Sequence, residues 1–121
     1  MTLYQGAPYE YSSVAEGLVF TAGACPLDDR GHIVCPGDFE AQATRTTENL
    51  LAALVERGTG ADALLKTTVF VAATGRRDLV RVWDVIAPIL GRVPSTLLGV
   101  SFLGYPDQLV EIEAIARVSF D

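Results

Sequence analysis

Positive charge is scarce in this sequence: nine Lys and Arg stand against fifteen Asp and Glu, a formal net charge of -6 at pH 7. Binding to phosphate backbones is driven mainly by Lys and Arg displacing counterions, so nucleic acid is disfavoured as a partner. Long apolar runs are missing too. None approaches the roughly 20 residues that a membrane helix requires, and Met1 to Glu10 has neither the basic nor the apolar region of a signal peptide. A cytoplasmic protein with no membrane segment is expected. Cysteine is limited to Cys25 and Cys35, which flank a turn. They can meet across a hairpin or stay reduced, and a reducing compartment favours free thiols. Neither has the CxxC spacing or the His and carboxylate neighbours of a metal site, so no metal is expected. The single His32 lies beside a turn and reads as solvated.

What is present is an apolar, ordinary globular composition. Half of the 121 residues are hydrophobic, enough for one domain over residues 1–121 to bury a core without metal or disulfide staples. Repeats, linkers and low-complexity stretches are not evident.

Thr2 to Val14 reads as an edge strand and loop, Gly17 to Gly23 as a strand, and Asp28-Asp29-Arg30-Gly31 as a turn leading to extended His32-Ile33-Val34. Asp38 is placed to cap a helix with Phe39, Ala43, Thr46, Leu50, Ala53 and Leu54 on one face, ended by Arg57-Gly58. Leu64 to Ala73 is the next strand. Asp78 is the expected cap of a second helix with Leu79, Val82, Trp83, Ile86, Ile89 and Leu90 on its stripe, closed by Gly91. Strands Thr96 to Leu103 and Leu109 to Val118 follow, separated by the turn Gly104-Tyr105-Pro106-Asp107. The expected class is α+β with order β-β-β-α-β-α-β-β, a mixed sheet carrying two helices on one face.

The last strand is apolar on both faces: Val110, Ile112, Ala114, Ala116 and Val118 on one, Leu109 and Ile115 among Glu111, Glu113 and Arg117 on the other. Leu65, Val69 and Val71 against Leu64 and Phe70, and Leu98, Val100 and Phe102 against Leu97 and Leu103, repeat the pattern. Two helices cover one face, so a second copy of the chain is expected on the other, the alternative being a sheet that curls over itself.

Four stretches carry a family resemblance: Ala7-Pro8-Tyr9, Leu18 to Pro26, Lys66-Thr67-Thr68-Val69-Phe70-Val71, and Val110-Glu111-Ile112-Glu113-Ala114-Ile115-Ala116, with Gly37 to Gln42 and Glu48-Asn49-Leu50 in register between them. Together they resemble the Rid (YjgF-like, L-PSP) family. The resemblance implies a chorismate-mutase-like fold, a homotrimer, small-molecule pockets between subunits and no metal or organic cofactor. Its best-known members hydrolyse enamines and imines such as aminoacrylate.

The resemblance implies Glu113 as the pocket's acid/base, with Tyr9 and Gly23-Ala24-Cys25 lining the pocket. A salt bridge across the trimer is the alternative role for Glu113. By the same resemblance Ser95, beside Leu97, stands where the deaminases carry a substrate-binding Arg, and Trp83 stands at a position often occupied by Asn. A Ser supplies neither the charge nor the fork of a guanidinium, so a substrate other than aminoacrylate is expected. Arg92 replaces that Arg only if its loop is re-routed, and otherwise is a helix-end cation. Trp83 either packs in the core or offers an apolar pocket wall. Cys25 is either buried and inert or a nucleophile with a lowered pKa. The expected function is a cofactor-independent enamine or imine hydrolase, the alternative a non-catalytic metabolite-binding or regulatory trimer. The ribonuclease activity attributed to some relatives is disfavoured by the acidic balance.

Overall fold

In the computed structural model, which describes residues 2–118, strands β1 (Ser12–Ala15) and β2 (Leu18–Thr21) form a hairpin. Glu16 at φ 53° and Gly17 at φ 75° make its two-residue turn, whose left-handed backbone matches the twist of the paired strands. Helix α1 (Phe39–Glu56) begins where the Asp38 carboxylate accepts from the Ala41 N–H at 2.9 Å, as expected of that cap. It stops at Arg57, before Gly58 at φ 74°. The later elements are β3 (Leu64–Val71), α2 (Arg76–Leu90), β4 (Ser95–Gly99) and β5 (Val110–Arg117), with one 3₁₀ turn at Ala61–Ala63.

Several details differ from expectation. The segment around His32 contributes only a bridge between Leu27 and Ile33, because Asp28 Oδ1 accepts from the Arg30 and His32 N–H groups, each at 2.9 Å, and closes the turn too tightly for a ladder. The order is therefore β-β-α-β-α-β-β. Helix α2 is capped by Gly75, and Asp78 lies inside the first turn, where its carboxylate accepts from the Thr74 N–H at 2.9 Å and hydroxyl at 3.0 Å. Those bonds, the backbone one first, hold the Asp78 carboxyl below the usual carboxylate range. In β3 the register shifts between Leu64 and Lys66, so Leu64 packs on the core and Leu65 is expelled to solvent.

The sheet runs β1-β2-β5-β3-β4, with β3 and β4 parallel on either side of α2 and all other pairs antiparallel. Both helices pack on one face, where Val69, Val71, Val110 and Ile112 meet Leu50, Val82 and Ile86, all essentially without exposure. Each such side chain contributes about 1.5–3 kcal/mol by leaving water. The opposite face carries Phe20, Lys66, Thr68, Phe70, Glu111, Glu113 and Ile115, and neither helix reaches it. The β4 strand ends at Gly99, so Phe102 is not on a sheet face but exposed in the loop to β5. Among the described residues no helix is long and apolar enough to cross a membrane.

Candidate functional site

After β2 the chain continues alongside β5. Ala24 N–H donates to the Ile112 carbonyl at 2.7 Å and Ile112 N–H to the Ala24 carbonyl at 3.1 Å. This bridge sets Gly23 and Cys25 against Glu111. A Cβ on Gly23 would lie 2.2 Å from Glu111 Oε2, so only glycine admits the carboxylate in this position. Cys25 Sγ lies 3.4 Å from Glu111 Oε1, and the Gln108 amide donates to the same oxygen at 3.1 Å.

Tyr9 and Tyr105 stand at the outer edge, their hydroxyls 3.1 Å apart, with Tyr11 edge-on to Tyr9. Tyr105 is tied to the carboxylate through Gln108, whose Oε1 accepts from the Tyr105 N–H at 3.1 Å. Helix α1 pins both loops. Asn49 donates to the Cys25 and Leu27 carbonyls at 2.8 and 2.9 Å, while Gln42 donates to the Asp107 carbonyl at 3.0 Å and accepts from the Leu109 N–H at 2.8 Å.

Burial, then the neighbouring Glu111 charge, pushes the Cys25 thiol up to about 12. At neutral pH it is a protonated donor rather than a thiolate, which argues against the nucleophile role. Burial and the Tyr105 hydroxyl also raise Tyr9. The arrangement can therefore hold a carboxylate by two neutral donors on Oε1 and present proton-bearing groups around it.

Of the expected site residues, Tyr9, Gly23 and Cys25 come together. Ala24 joins them through its backbone, while its side chain is buried in the core. Glu113 shares a face with Glu111 but is exposed, in a concavity with Phe20, Lys66, Thr68 and Ile115. Ser95 turns toward the helix side, its hydroxyl 2.6 Å from Thr67 Oγ1 and 3.0 Å from the Val93 carbonyl, and Leu97 packs against the core. Both lie off the face that carries Glu111. The residue on that face is Thr96, which accepts from Lys66 Nζ at 2.6 Å. Trp83 is neither deep in the core nor near Glu111, since it lines a surface cleft with Pro88, Arg92 and Pro94 past the end of α2.

Glu111, Gln108 and Tyr105 are the members sequence reasoning missed. Their signal was the demand for glycine at 23, unreadable without its neighbour.

A sequence model of the family described as endoribonuclease L-PSP matches residues 2–118. The chain belongs to that family. A RutC family protein of Pyrococcus horikoshii is 30% identical to this L-PSP-family chain over 110 residues, covering 90% of the chain and 86% of the relative. The fold is also that of solved structures. The Rid-family protein YyfA of Yersinia pestis is 31% identical with a TM-score of 0.82, covering 92% of this chain and 88% of its own. TdcF of E. coli, solved with bound serine, is 29% identical with a TM-score of 0.82, covering 96% and 92% respectively. The α+β class, the mixed sheet and the resemblance to the Rid family are thus established for this L-PSP-family member.

Proposed function

We propose that this protein is a cofactor-independent hydrolase of enamine or imine metabolites, with Glu111 as its proton carrier. The observation behind this reading is a carboxylate whose Oε1 is held by Cys25 and Gln108 beside two phenols. Such a group is oriented without being neutralised by a cation, which suits general acid/base work.

In the hydrolysis of an imine that arrives protonated, water adds to the iminium carbon and gives a proton to Glu111, which returns it to the amine nitrogen. The C–N bond of the resulting protonated amino alcohol then breaks, ammonia leaves with the bonding pair, and the hydroxyl proton passes to Glu111 as the carbonyl forms and from there to the released ammonia. We assign the acid/base role to Glu111 in place of Glu113, because Glu113 has an exposed setting with no such holders.

The sheet face that neither helix covers, where Phe20, Phe70 and Ile115 stand among polar side chains, supports a homotrimer in which the pocket is completed between subunits. TdcF with bound serine supports a pocket for a small metabolite. The free thiols Cys25 and Cys35 fit a reducing, cytoplasmic setting. RNA is a poor fit for the acidic balance of this chain.

The test is coupled imine decay, with imines generated in situ by an amino-acid oxidase or by an amine oxidase. Faster decay with protein present, lost in Glu111→Gln, is expected. Unchanged decay for every imine would withdraw the enzymatic reading, and ligand binding without turnover would favour a metabolite-binding trimer. Light scattering that returns a monomer at micromolar concentration would remove the shared pocket.

A further inference from the structure

The groups around Glu111 carry one formal charge, and it is negative. Cys25 is a neutral donor, Gln108 an amide, and Tyr9 and Tyr105 phenols. Phe70 stands opposite Glu111 in the β3–β5 register on the same face and adds a third aromatic side chain. Aromatic faces and a carboxylate both attract cations and repel anions.

Three of the nine Lys and Arg residues are engaged elsewhere. Arg45 donates to the Leu27 carbonyl, Arg57 to Ser12 and Arg81 to Glu40. Lys66 shares the open face, but it is bonded to Thr96 and lies opposite Ile115, four residues from the Phe70–Glu111 pair. At the usual rise of a strand that is roughly 13 Å. Arg92 lies in the Trp83 cleft, and Arg117, on the same strand face as Glu111, is six residues from it along β5. Among the described residues no Lys or Arg pairs with or donates to any member of the Glu111 group.

Taking that group as the ligand site, we infer that it selects a cationic nitrogen, an iminium or ammonium on a molecule without a carboxylate. Glu111 Oε1 is occupied by its two donors, so Oε2 is the atom left to receive the N–H of the ligand. A carboxylated imine would set a second negative charge among the same aromatic rings with no Lys or Arg of the same subunit paired to that group.

Binding tests this independently of turnover. Benzylammonium, benzyl alcohol and benzoate share one ring and differ in charge, so titrating each into the full-length protein, with amide NMR shifts as the readout, isolates the effect of charge. Benzylammonium should shift the signals of Cys25, Tyr105 and Glu111 and bind at least about tenfold more tightly than benzyl alcohol, ~1.4 kcal/mol. Benzoate should leave those signals in place, and Glu111→Gln should erase the preference for the ammonium. Benzoate binding at those residues as tightly as benzylammonium would overturn the inference, as would equal binding of the ammonium and the alcohol or no shift with any probe. The comparison among probes on the unmodified protein decides the matter even if the variant folds poorly. A protein that prefers benzylammonium but turns over no imine would lose the enzymatic reading and keep this one.

Discussion

The Cys25 thiol lies 3.4 Å from Glu111 Oε1, a contact between residues 86 apart in sequence. The thiol is pushed up to about 12, first by burial and then by the carboxylate. At pH 8 iodoacetamide should therefore modify exposed Cys35 and spare Cys25, so mass spectrometry should count one adduct on the native chain and two in denaturant. Glu111→Gln should speed the reaction of Cys25. Because the folded value exceeds the ordinary 9.0, the stability linked to this thiol is complete below about pH 9 and is lost as pH climbs toward 12. Cys25→Ser should flatten that alkaline decline in urea titrations.

Glu111 and Glu113 share a face but not a setting. If Glu111 carries the proton, Glu111→Gln should lower kcat by about 100-fold or more, the usual contribution of a positioned acid/base. Glu113→Gln should leave kcat nearly unchanged. Imine decay rates for the two variants measured side by side check the assignment, and the reverse order would return the role to Glu113.

Gly23→Ala sets a methyl group where Glu111 now lies, 2.2 Å from Oε2. The carboxylate can swing away because it ends a flexible side chain, so the cost should fall on the site more than on the fold. Circular dichroism and melting temperature should stay close to wild type while imine hydrolysis is lost. Unfolding of the variant would instead mark Gly23 as a packing position.

Gln42 is fully buried, and both ends of its amide hold the loop that carries Tyr105 and Gln108. Gln42→Leu keeps the volume but leaves the Asp107 carbonyl and the Leu109 N–H without their partner. A loss of about 2 kcal/mol is expected, within the usual cost of stranding a buried polar group. Equilibrium denaturation measures it.

Glu16 holds φ 53° in the β1–β2 turn, a conformation that costs a side chain such as Glu more than Asn. Glu16→Asn should stabilise the protein by about 0.5–1 kcal/mol. A higher denaturation midpoint at unchanged slope would confirm it.

Local signals specified the helices and long strands of this chain. Asp38 before a periodic stripe and Gly58 after it delimited α1, and alternation delimited β5. The motifs also pointed to the right family, because they are carried by neighbouring residues, whereas Leu64, Leu97 and Leu109, read as part of a second apolar face, pack on the helix-side core. Alternation cannot choose between Glu111 and Glu113, since residues two apart point the same way, nor settle whether Ser95 or Thr96 looks outward, since a shift of one residue reverses the face. Those choices were made by the tertiary structure. The Ala24–Ile112 bridge, the bulge at Leu65 and the bonds from Gln42 and Asn49 bring distant segments into one register, and only that register decides which carboxylate meets Cys25.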